Sequence, residues 1–254
     1  MTGAIRRRSL GAAVFPAVVL LGVGAGIAAD RGASPVGLWV FVLVLAGWVI
    51  SLCLHEFAHS VVALAGGDVS VRAKGYLTLN PLRYTDPVFS LVIPALLLAV
   101  GGIPLPGGAV LIENHRLRYR WWPSLVSAAG PLTNLLAGIV LTLAAAGSTH
   151  DDRITALGAG LAFLAVLQFG AAILNVLPVP GLDGFGILAP FLSPAANRAI
   201  APIRPWAGLA LFAVLISVPQ ASGYLFRGAF ALFDLFGGSR GAAAIGQGLF
   251  HFWS

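Results

Sequence analysis

The 254-residue chain has few charged side chains and only one cysteine. Charged residues make up 9% of it and hydrophobic residues 58%, whereas soluble domains are typically about 25% charged. So few charges cannot cover the surface of a water-soluble protein, and the composition therefore predicts a polytopic membrane protein. The single cysteine, Cys53, excludes an internal disulfide and is interpreted as a small apolar helix residue rather than a metal ligand.

The basic residues do not form the pattern of a nucleic-acid-binding protein. The formal net charge is +6, but the arginines stand in clusters beside apolar runs and not along one basic face with interleaved aromatics. That placement is typical of arginines that face lipid or set membrane topology. We therefore expect a lipid bilayer as the partner of this charge, and no nucleic acid.

Long apolar runs predict most of the helices. Arg6–Arg8 precede the run 11–29, which is about as long as a membrane span needs, so we expect an uncleaved first helix rather than a signal peptide. We expect one membrane-embedded domain over 1–254, all-α, with about five to six transmembrane helices and a core at 36–190. Its further helices are predicted at 36–65, 122–147, 154–177 and within 201–254.

The stretch that follows the second helix changes character. Residues 68–87 alternate roughly with period two, and 108–112 (GAVLI) is a second strand candidate, so we expect a small membrane-associated β-sheet. The apolar run 88–103 is short for a span and is interrupted by Pro94. We therefore predict a re-entrant hairpin there.

The sequence HEFAH, 55–59, places three ionisable groups inside an apolar helix. His55 and His59 lie four residues apart, so both imidazoles project from one face, a spacing that lets two ring nitrogens bind one Zn²⁺ at about 2.0–2.1 Å. Glu56 can reach a water at such a metal, as the general base does in the hydrolase motif H-E-x-x-H. Burying these groups without a function would be costly. The motif therefore indicates a zinc hydrolase.

A zinc site of this kind needs a third protein ligand, and Asp183 is favoured. It lies in NVLPVPGLDG, 175–184, where prolines unwind the end of an apolar helix and glycines allow close approach. Unwound backbone at membrane depth is tolerated only around a cavity or site. The alternative is a solvated Asp183 in a helix-terminating turn. Other candidates by composition occupy loops, connectors or the terminus, where a solvated role is simpler: Asp68, Asp86, Glu113, His115, His150, Asp151, Asp152 and His251.

HEFAH on an early helix, followed much later by NVLPVPGLDG, resembles the site-2 protease family of intramembrane zinc metalloproteases. SAAGPLTN, 127–134, is similar to that family's GP-x-x-N helix, and the resemblance covers about 45–190. It implies that His55, His59 and Asp183 bind one Zn²⁺ and that Glu56 is the catalytic base.

The same resemblance implies that Asn134 and Asn175 help to hold the substrate or the active-site geometry. The alternative for each is an interhelical hydrogen bond. The chain departs from the family in two respects. It shows no inserted PDZ-like or nucleotide-sensing domain, which predicts a minimal member, and it has Tyr84 in LNPLRYTDP where histidine is expected.

The positive-inside rule predicts which side of the membrane the site faces. If Arg6–Arg8 are cytoplasmic, the second helix returns to the cytoplasm and places HEFAH in the cytoplasmic half, next to basic residues such as Arg72 and Lys74. The helices 122–147 and 154–177 then go out and back, bringing Asp183 to the same face. We expect a multi-pass protein of the cell membrane whose active site lies towards the cytoplasm.

The predicted function is hydrolysis of peptide bonds in transmembrane protein substrates, that is, regulated intramembrane proteolysis. An edge strand at 69–73 or 108–112 would hold the substrate extended. One alternative is a transporter or metal-permeation protein, because intramembrane histidines and acids also line ion pathways. Another is a catalytically silent scaffold. Glu56 beside two zinc-spaced histidines and the lack of a visible inverted repeat favour the protease.

Overall fold

The structure, a computed structural model, describes residues 2–80, 110–150 and 153–253. Two strands of two residues each, β1 (Thr149–His150) and β2 (Arg153–Ile154), pair antiparallel in the connector between the helices that end at Ala146 and begin at Ala156. Short 3-10 turns lie at Asn114–Arg116 and Ala189–Phe191. The described α-helices, in chain order, are α1 (Thr2–Asp30), α2 (Val36–Gly66), α3 (Ser70–Lys74), α4 (Trp122–Ala146), α5 (Ala156–Val176), α6 (Asp183–Leu188), α7 (Pro194–Ile200), α8 (Arg204–Ser217), α9 (Pro219–Leu235) and α10 (Arg240–Phe250).

Four of the described helices are long and apolar enough to cross a membrane: α1 over Ala13–Asp30, α2, α4 and α5. The pair α7 and α8, bent by 60°, would add a fifth if it forms one broken span. The mostly helical architecture is therefore confirmed and fits a polytopic membrane protein, while the number of helices that cross the membrane stays a prediction.

Helix α5 lies at the centre of the bundle and contacts α1, α2, α4, α9 and α10. Its residues Phe163, Leu164 and Leu167 pack in one core cluster with Val40 and Val44 of α2. On another side Phe169 packs with Phe233 of α9. Because α5 is apolar around most of its circumference, it is buried on nearly all sides, as expected of a central helix.

Helix α2 ends where the sequence predicts. Gly67 adopts a left-handed conformation with φ of 112°, and its N–H bonds back to the Leu64 carbonyl at 3.0 Å, as in a glycine C-cap. The start of α4 lies against this end, because the Trp122 indole N–H donates to the Val62 carbonyl at 2.9 Å. The end of α2 and the start of α4 therefore lie on the same side of the bundle.

The predicted strand at 69–73 is wrong, because Ser70–Lys74 forms the single-turn helix α3. A turn of helix buries Val71 in a cluster with Ala63 and Tyr76, and Gly75, with φ of 76°, ends it. Two apolar residues at alternate positions are too short a pattern to separate strand from helix.

The rest of the predicted β-sheet is not found in the described part of the chain. Residues 110–112 belong to no described strand, and the β1–β2 pair lies at the other end of α4. The predicted hairpin 88–103, together with Tyr84 and Asp86, lies outside the described residues.

Candidate metal centre

Three side chains from two distant parts of the sequence converge at one point. The Nε2 atom of His55 lies 3.2 Å from one carboxylate oxygen of Asp183, and the Nε2 atom of His59 lies 3.4 Å from the other. The three candidate donor atoms all lie within 4.8 Å of one another. Two ligands of a tetrahedral zinc at about 2.0–2.1 Å from the metal are about 3.4 Å apart. The spacing therefore fits a zinc ion.

The hydrogen bonds behind the two histidines decide which ring nitrogen faces this point. Nδ1 of His59 donates to the Val126 carbonyl at 2.6 Å, and Nδ1 of His55 bonds to Oδ1 of Asn134. A carbonyl oxygen only accepts, so each Nδ1 carries the hydrogen and each Nε2 offers a lone pair. Two lone pairs and a carboxylate that face one another need a proton or a metal ion between them, and this set of donor atoms fits a metal ion.

Gly130 of α4 gives the two imidazoles their space. A methyl group at this position would overlap Nε2 of His55 and Nε2 of His59. The backbone of α4 can therefore come directly against the candidate metal site only because residue 130 has no side chain. The next residue is Pro131, and both belong to the GP-x-x-N motif.

Packing against α4 holds the first turn of α6, and with it Asp183, in place. The Ser124 hydroxyl donates to the Ile187 carbonyl at 2.6 Å, and a side chain at Gly186 would overlap Ser127. Gly181, with φ of 99°, makes the turn before α6. The unwound segment predicted from NVLPVPGLDG thus brings Asp183 back to α2.

Glu56 lies beside this group and inside the protein. It is 3% exposed, and its Oε2 atom has no hydrogen-bond partner among the described residues. An unpartnered buried carboxylate oxygen is costly unless a ligand, a water or an ion completes its surroundings. The position next to His55 is therefore suited to handling a proton.

A cavity of about 990 Å³ opens from His59 and Asp183. Its mixed polar and apolar wall includes the segment 110–112, Tyr119, Arg120, Phe185 and Arg204. A cavity of this size can admit a short stretch of polypeptide.

Ionic contacts tie the wall segment 110–113 to α3 and to the end of α2. The Lys74 ammonium group donates to the Leu111 carbonyl at 2.8 Å and pairs with Glu113 at 2.9 Å. Arg116 also bonds to Glu113, and these two cations lower the pKa of the Glu113 carboxyl to about 2. The buried Asp68 accepts a hydrogen bond from the Glu113 N–H at 2.8 Å.

Hydrogen bonds from Ser70 and Glu113 also set the ionisation of Asp68. Burial raises its pKa, and these hydrogen bonds lower it by more, so its net pKa is below the ordinary value. Asp68 is thus a structural carboxylate of this wall and not a member of the converging group.

Several other predicted candidates lie elsewhere. Asn175 is buried in the last turn of α5, but no hydrogen bond among the described residues joins it to the converging group. Cys53 is fully buried and is not part of that group. His115 lies at the cavity wall with an exposed side chain, and His251 follows α10. Asp86, Asp151 and Asp152 lie outside the described residues.

Three residues around the site escaped the sequence reasoning: Ser51, Val126 and Gln168. Val126 acts through its backbone carbonyl, for which no sequence signal exists. Ser51 and Gln168 belong to a buried hydrogen-bond chain behind His55. The signal that was available is Gln168 itself, an uncharged polar side chain in the middle of an otherwise apolar helix.

Comparison with known proteins gives close relatives. A protein of Mycolicibacterium smegmatis named "Putative zinc metalloprotease Rip2" is 45% identical over 235 residues, which cover 92% of this chain and 89% of the relative. The protein of the same name from Mycobacterium tuberculosis H37Rv is 46% identical over 220 residues, 85% of this chain and 82% of the relative.

A more distant relative in Bacillus subtilis is named "Putative zinc metalloprotease YwhC". It is 29% identical over 181 residues, which cover 68% of this chain and 80% of the relative. No family model matches the chain. No solved structure matches it either.

The two Rip2 matches cover 92% and 85% of the chain, which is enough to include both HEFAH and Asp183. They favour a protease over the transporter alternative, and they imply Zn²⁺ as the cofactor. The chain belongs to the site-2 protease family of zinc metalloproteases.

Proposed function

We propose that this protein is an intramembrane endopeptidase that hydrolyses peptide bonds of membrane-spanning substrates. The observation that carries the proposal is the convergence of His55, His59 and Asp183 beside the buried Glu56. His55, Glu56 and His59 lie on α2, which is long and apolar enough to span the membrane. The proposed domain is the whole chain, 1–254, with its catalytic core at 36–190.

In this proposal Nε2 of His55, Nε2 of His59 and a carboxylate oxygen of Asp183 hold one Zn²⁺. Zinc in such a site polarises the scissile carbonyl and lowers the pKa of water towards about 7. The hydrogen bonds from Nδ1 of each histidine hold the two rings in the orientation that binding requires.

Glu56 is the proposed general base and acid. Its carboxylate takes the proton from the attacking water and delivers it to the nitrogen of the leaving amine, so the two products are a carboxylate and an amine. The unpartnered Oε2 atom supports this role, because a carboxylate oxygen already engaged by the protein could not accept that proton. Asn134 is proposed to support the site by holding His55, and Asn175 remains a weaker candidate for support.

The substrate is proposed to enter the cavity in an extended form. A transmembrane helix buries its own peptide bonds, so a protease has to unwind it before cleavage. The wall segment 110–112 runs along the cavity and is held by Lys74 and Asp68. It is the proposed template for the extended substrate, in place of the predicted strand at 69–73.

The proposed location is the cell membrane, with several spans and the site towards the cytoplasm. The rim of the cavity supports this side, because Arg120 and Arg204 line it and basic residues accumulate on the cytoplasmic side. Tyr119, Trp121 and Trp122 pack together at the start of α4, as expected of an aromatic belt at a membrane interface.

The test compares the two glutamates of the chain, which offer a matched pair. Full-length protein in detergent is assayed for bound zinc and for cleavage of a single-span membrane substrate, with Glu56→Gln as the variant and Glu113→Gln as the control. We expect Glu56→Gln to keep its zinc and to lose about 10²- to 10⁴-fold in cleavage rate. Glu113→Gln should lose far less, because Lys74 still bonds to the Leu111 carbonyl and Asp68 to the backbone N–H of residue 113.

Two results would contradict the proposal. If Glu56→Gln cleaved as fast as wild type, Glu56 would not be the base. If wild-type protein held zinc but cleaved neither a panel of single-span substrates nor a soluble unfolded polypeptide, the silent scaffold would be the better interpretation.

A further inference from the structure

A chain of hydrogen bonds runs from the candidate metal site into the centre of the bundle. Oδ1 of Asn134 bonds to Nδ1 of His55, and Nδ2 of Asn134 donates to Oε1 of Gln168 at 2.8 Å. Nε2 of Gln168 donates to the Ser51 hydroxyl at 2.8 Å. That hydroxyl donates to the Trp48 carbonyl, also at 2.8 Å. The chain therefore links three helices, α2, α4 and α5, and begins and ends on α2.

The amide and hydroxyl side chains that form this series of hydrogen bonds are all buried. Gln168 is 0% exposed, and Ser51 and Asn134 are each 5% exposed. Gln168 lies among apolar residues of α5, between Leu167 and Phe169, which both belong to core clusters. A buried amide costs free energy unless both of its ends are hydrogen-bonded, and here both ends of both amides are. Each end of both amides therefore has a partner, which favours the arrangement that the structure shows.

The direction of each hydrogen bond follows from the end at Trp48. A backbone carbonyl can only accept, so the Ser51 hydroxyl donates to it and accepts from Gln168. The amide nitrogen of Gln168 therefore faces Ser51, and its oxygen faces Asn134.

The same reasoning gives the direction of the hydrogen bond between Asn134 and His55. The oxygen of Gln168 accepts from the nitrogen of Asn134, so the oxygen of Asn134 faces His55. His55 must then carry its hydrogen on Nδ1 and its lone pair on Nε2. The tautomer of His55 is thus fixed from a carbonyl about two turns earlier in its own helix.

His59 shows what a direct arrangement looks like. Its Nδ1 donates straight to the Val126 carbonyl of α4, and a carbonyl needs no further group to define its direction. The Asn134 side chain is different, because an amide can present either oxygen or nitrogen to a histidine. A rotated amide would turn a donor towards Nδ1 and place the hydrogen of His55 on Nε2, where it would block metal binding.

We propose that Gln168 and Ser51 are positioning residues that fix the amide of Asn134, and through it the tautomer of His55, so that Nε2 of His55 is offered to zinc. This inference rests on the proposed metal centre and adds two residues to it. Neither residue touches the metal or the substrate.

The test uses full-length protein in detergent and measures the Zn²⁺ dissociation constant by competition with a chelator. Gln168→Met removes both polar ends at nearly constant volume, and Ser51→Ala removes only the hydroxyl. Thr142→Val is the matched control, since Thr142 is also buried in the bundle and, among the described residues, bonds only to the Gly138 carbonyl of its own helix, at 2.7 Å. His55→Ala is the reference for loss of a ligand.

We expect zinc binding to weaken about 10- to 100-fold in Gln168→Met, the range typical for residues that support a metal ligand. Ser51→Ala should weaken it less, and Thr142→Val should stay within about twofold of wild type. Gln168→Glu in its protonated form should restore most of the affinity, because its carbonyl oxygen can accept from Asn134 while its O–H donates to Ser51.

A second readout reports the tautomer itself. In metal-free protein with ¹⁵N-labelled histidine, the His55 ring, assigned by its absence in His55→Ala, should be protonated on Nδ1 in wild type and in Thr142→Val. In Gln168→Met it should show both tautomers. A purely structural role for Gln168 would lower stability without changing this ratio.

The outcomes separate this inference from the proposed function. If His55→Ala loses zinc but Gln168→Met and Ser51→Ala bind it like Thr142→Val, the positioning role is overturned and the metal centre stands. If His55→Ala binds zinc as tightly as wild type, the metal centre fails and this inference fails with it. If Gln168→Met does not elute as a folded species, Ser51→Ala decides, since alanine is favourable in a helix.

Discussion

One carboxylate oxygen of Asp183 lies 3.2 Å from Nε2 of His55, although the two residues belong to helices far apart in the sequence. The unwound segment after α5 turns the chain back, and the short helix α6 presents Asp183 to the middle of α2. Both side chains of this contact are largely buried, being 8% and 21% exposed. A carboxylate oxygen and an imidazole nitrogen at this distance need a proton or a metal ion between them, and the metal ion is the geometric basis for the predictions on zinc.

Replacing Asp183 with alanine should remove one of the three proposed zinc ligands. We expect the Zn²⁺ dissociation constant of Asp183→Ala to rise by more than the 10- to 100-fold typical for residues that only support a ligand. The matched control is Asp234→Ala, which removes an aspartate paired with Arg240 on the surface at the start of α10. Equal zinc affinities in the two variants, measured by chelator competition, would argue against Asp183 as a ligand.

A methyl group at Gly130 should disturb the site without disturbing the helix. In Gly130→Ala the new Cβ would overlap both Nε2 atoms, so we expect loss of zinc binding and of proteolysis. The control is Gly223→Ala in α9, where a Cβ meets nothing within 4 Å, and where alanine should be neutral or stabilise by up to about 1 kcal/mol. Normal zinc content in Gly130→Ala would show that the two helices can move apart at no cost.

The ion pairs of Glu113 predict a pH dependence of stability. Arg116 and Lys74 lower the pKa of Glu113 from the ordinary 4.5 to about 2, so the stabilising effect of Glu113 is present above pH 4.5 and is lost as the pH falls towards 2. The melting temperature of Glu113→Gln should therefore lie at most a few degrees below that of wild type at pH 7. This difference should shrink between about pH 4.5 and pH 2.

Salt provides the control for that prediction. Glu113 and its cations lie at the surface, so 1 M salt should shrink the difference in melting temperature at pH 7. A difference that does not change with pH or with salt would mean that Glu113 stabilises the wall segment by packing rather than by charge.

The proposed sidedness can be checked with single cysteines. In a background with Cys53→Ala, we expect His115→Cys, at the cavity wall, to react with an impermeant thiol reagent only from the cytoplasmic side. Arg153→Cys, an exposed residue in the connector between α4 and α5, should react only from the opposite side. Labelling of both from one side in intact cells would contradict the proposed topology.

The sequence predicted the long helices well because their signals are local. The run from Val36 to Gly66 is apolar throughout and ends at a glycine pair, so both its type and its end could be read directly. The structure of the short stretch Ser70–Lys74 could not be read from the sequence, because one helical turn and a short strand would both bury Val71. Its environment in the folded protein, beside Ala63 and Tyr76, decided in favour of a helix.

The sequence by itself determined the membrane class, the helix that carries His55, Glu56 and His59, and the choice of Asp183 as the partner worth testing. It did so because apolar length, a four-residue histidine spacing and an unwound Pro-Gly segment are properties of neighbouring residues. Tertiary structure alone decided what lies behind and between these groups. The contact of Gly130 with both imidazoles and the path through Gln168 depend on how three helices pack, since hydrogen-bond directions between them exist only once the backbones are in place.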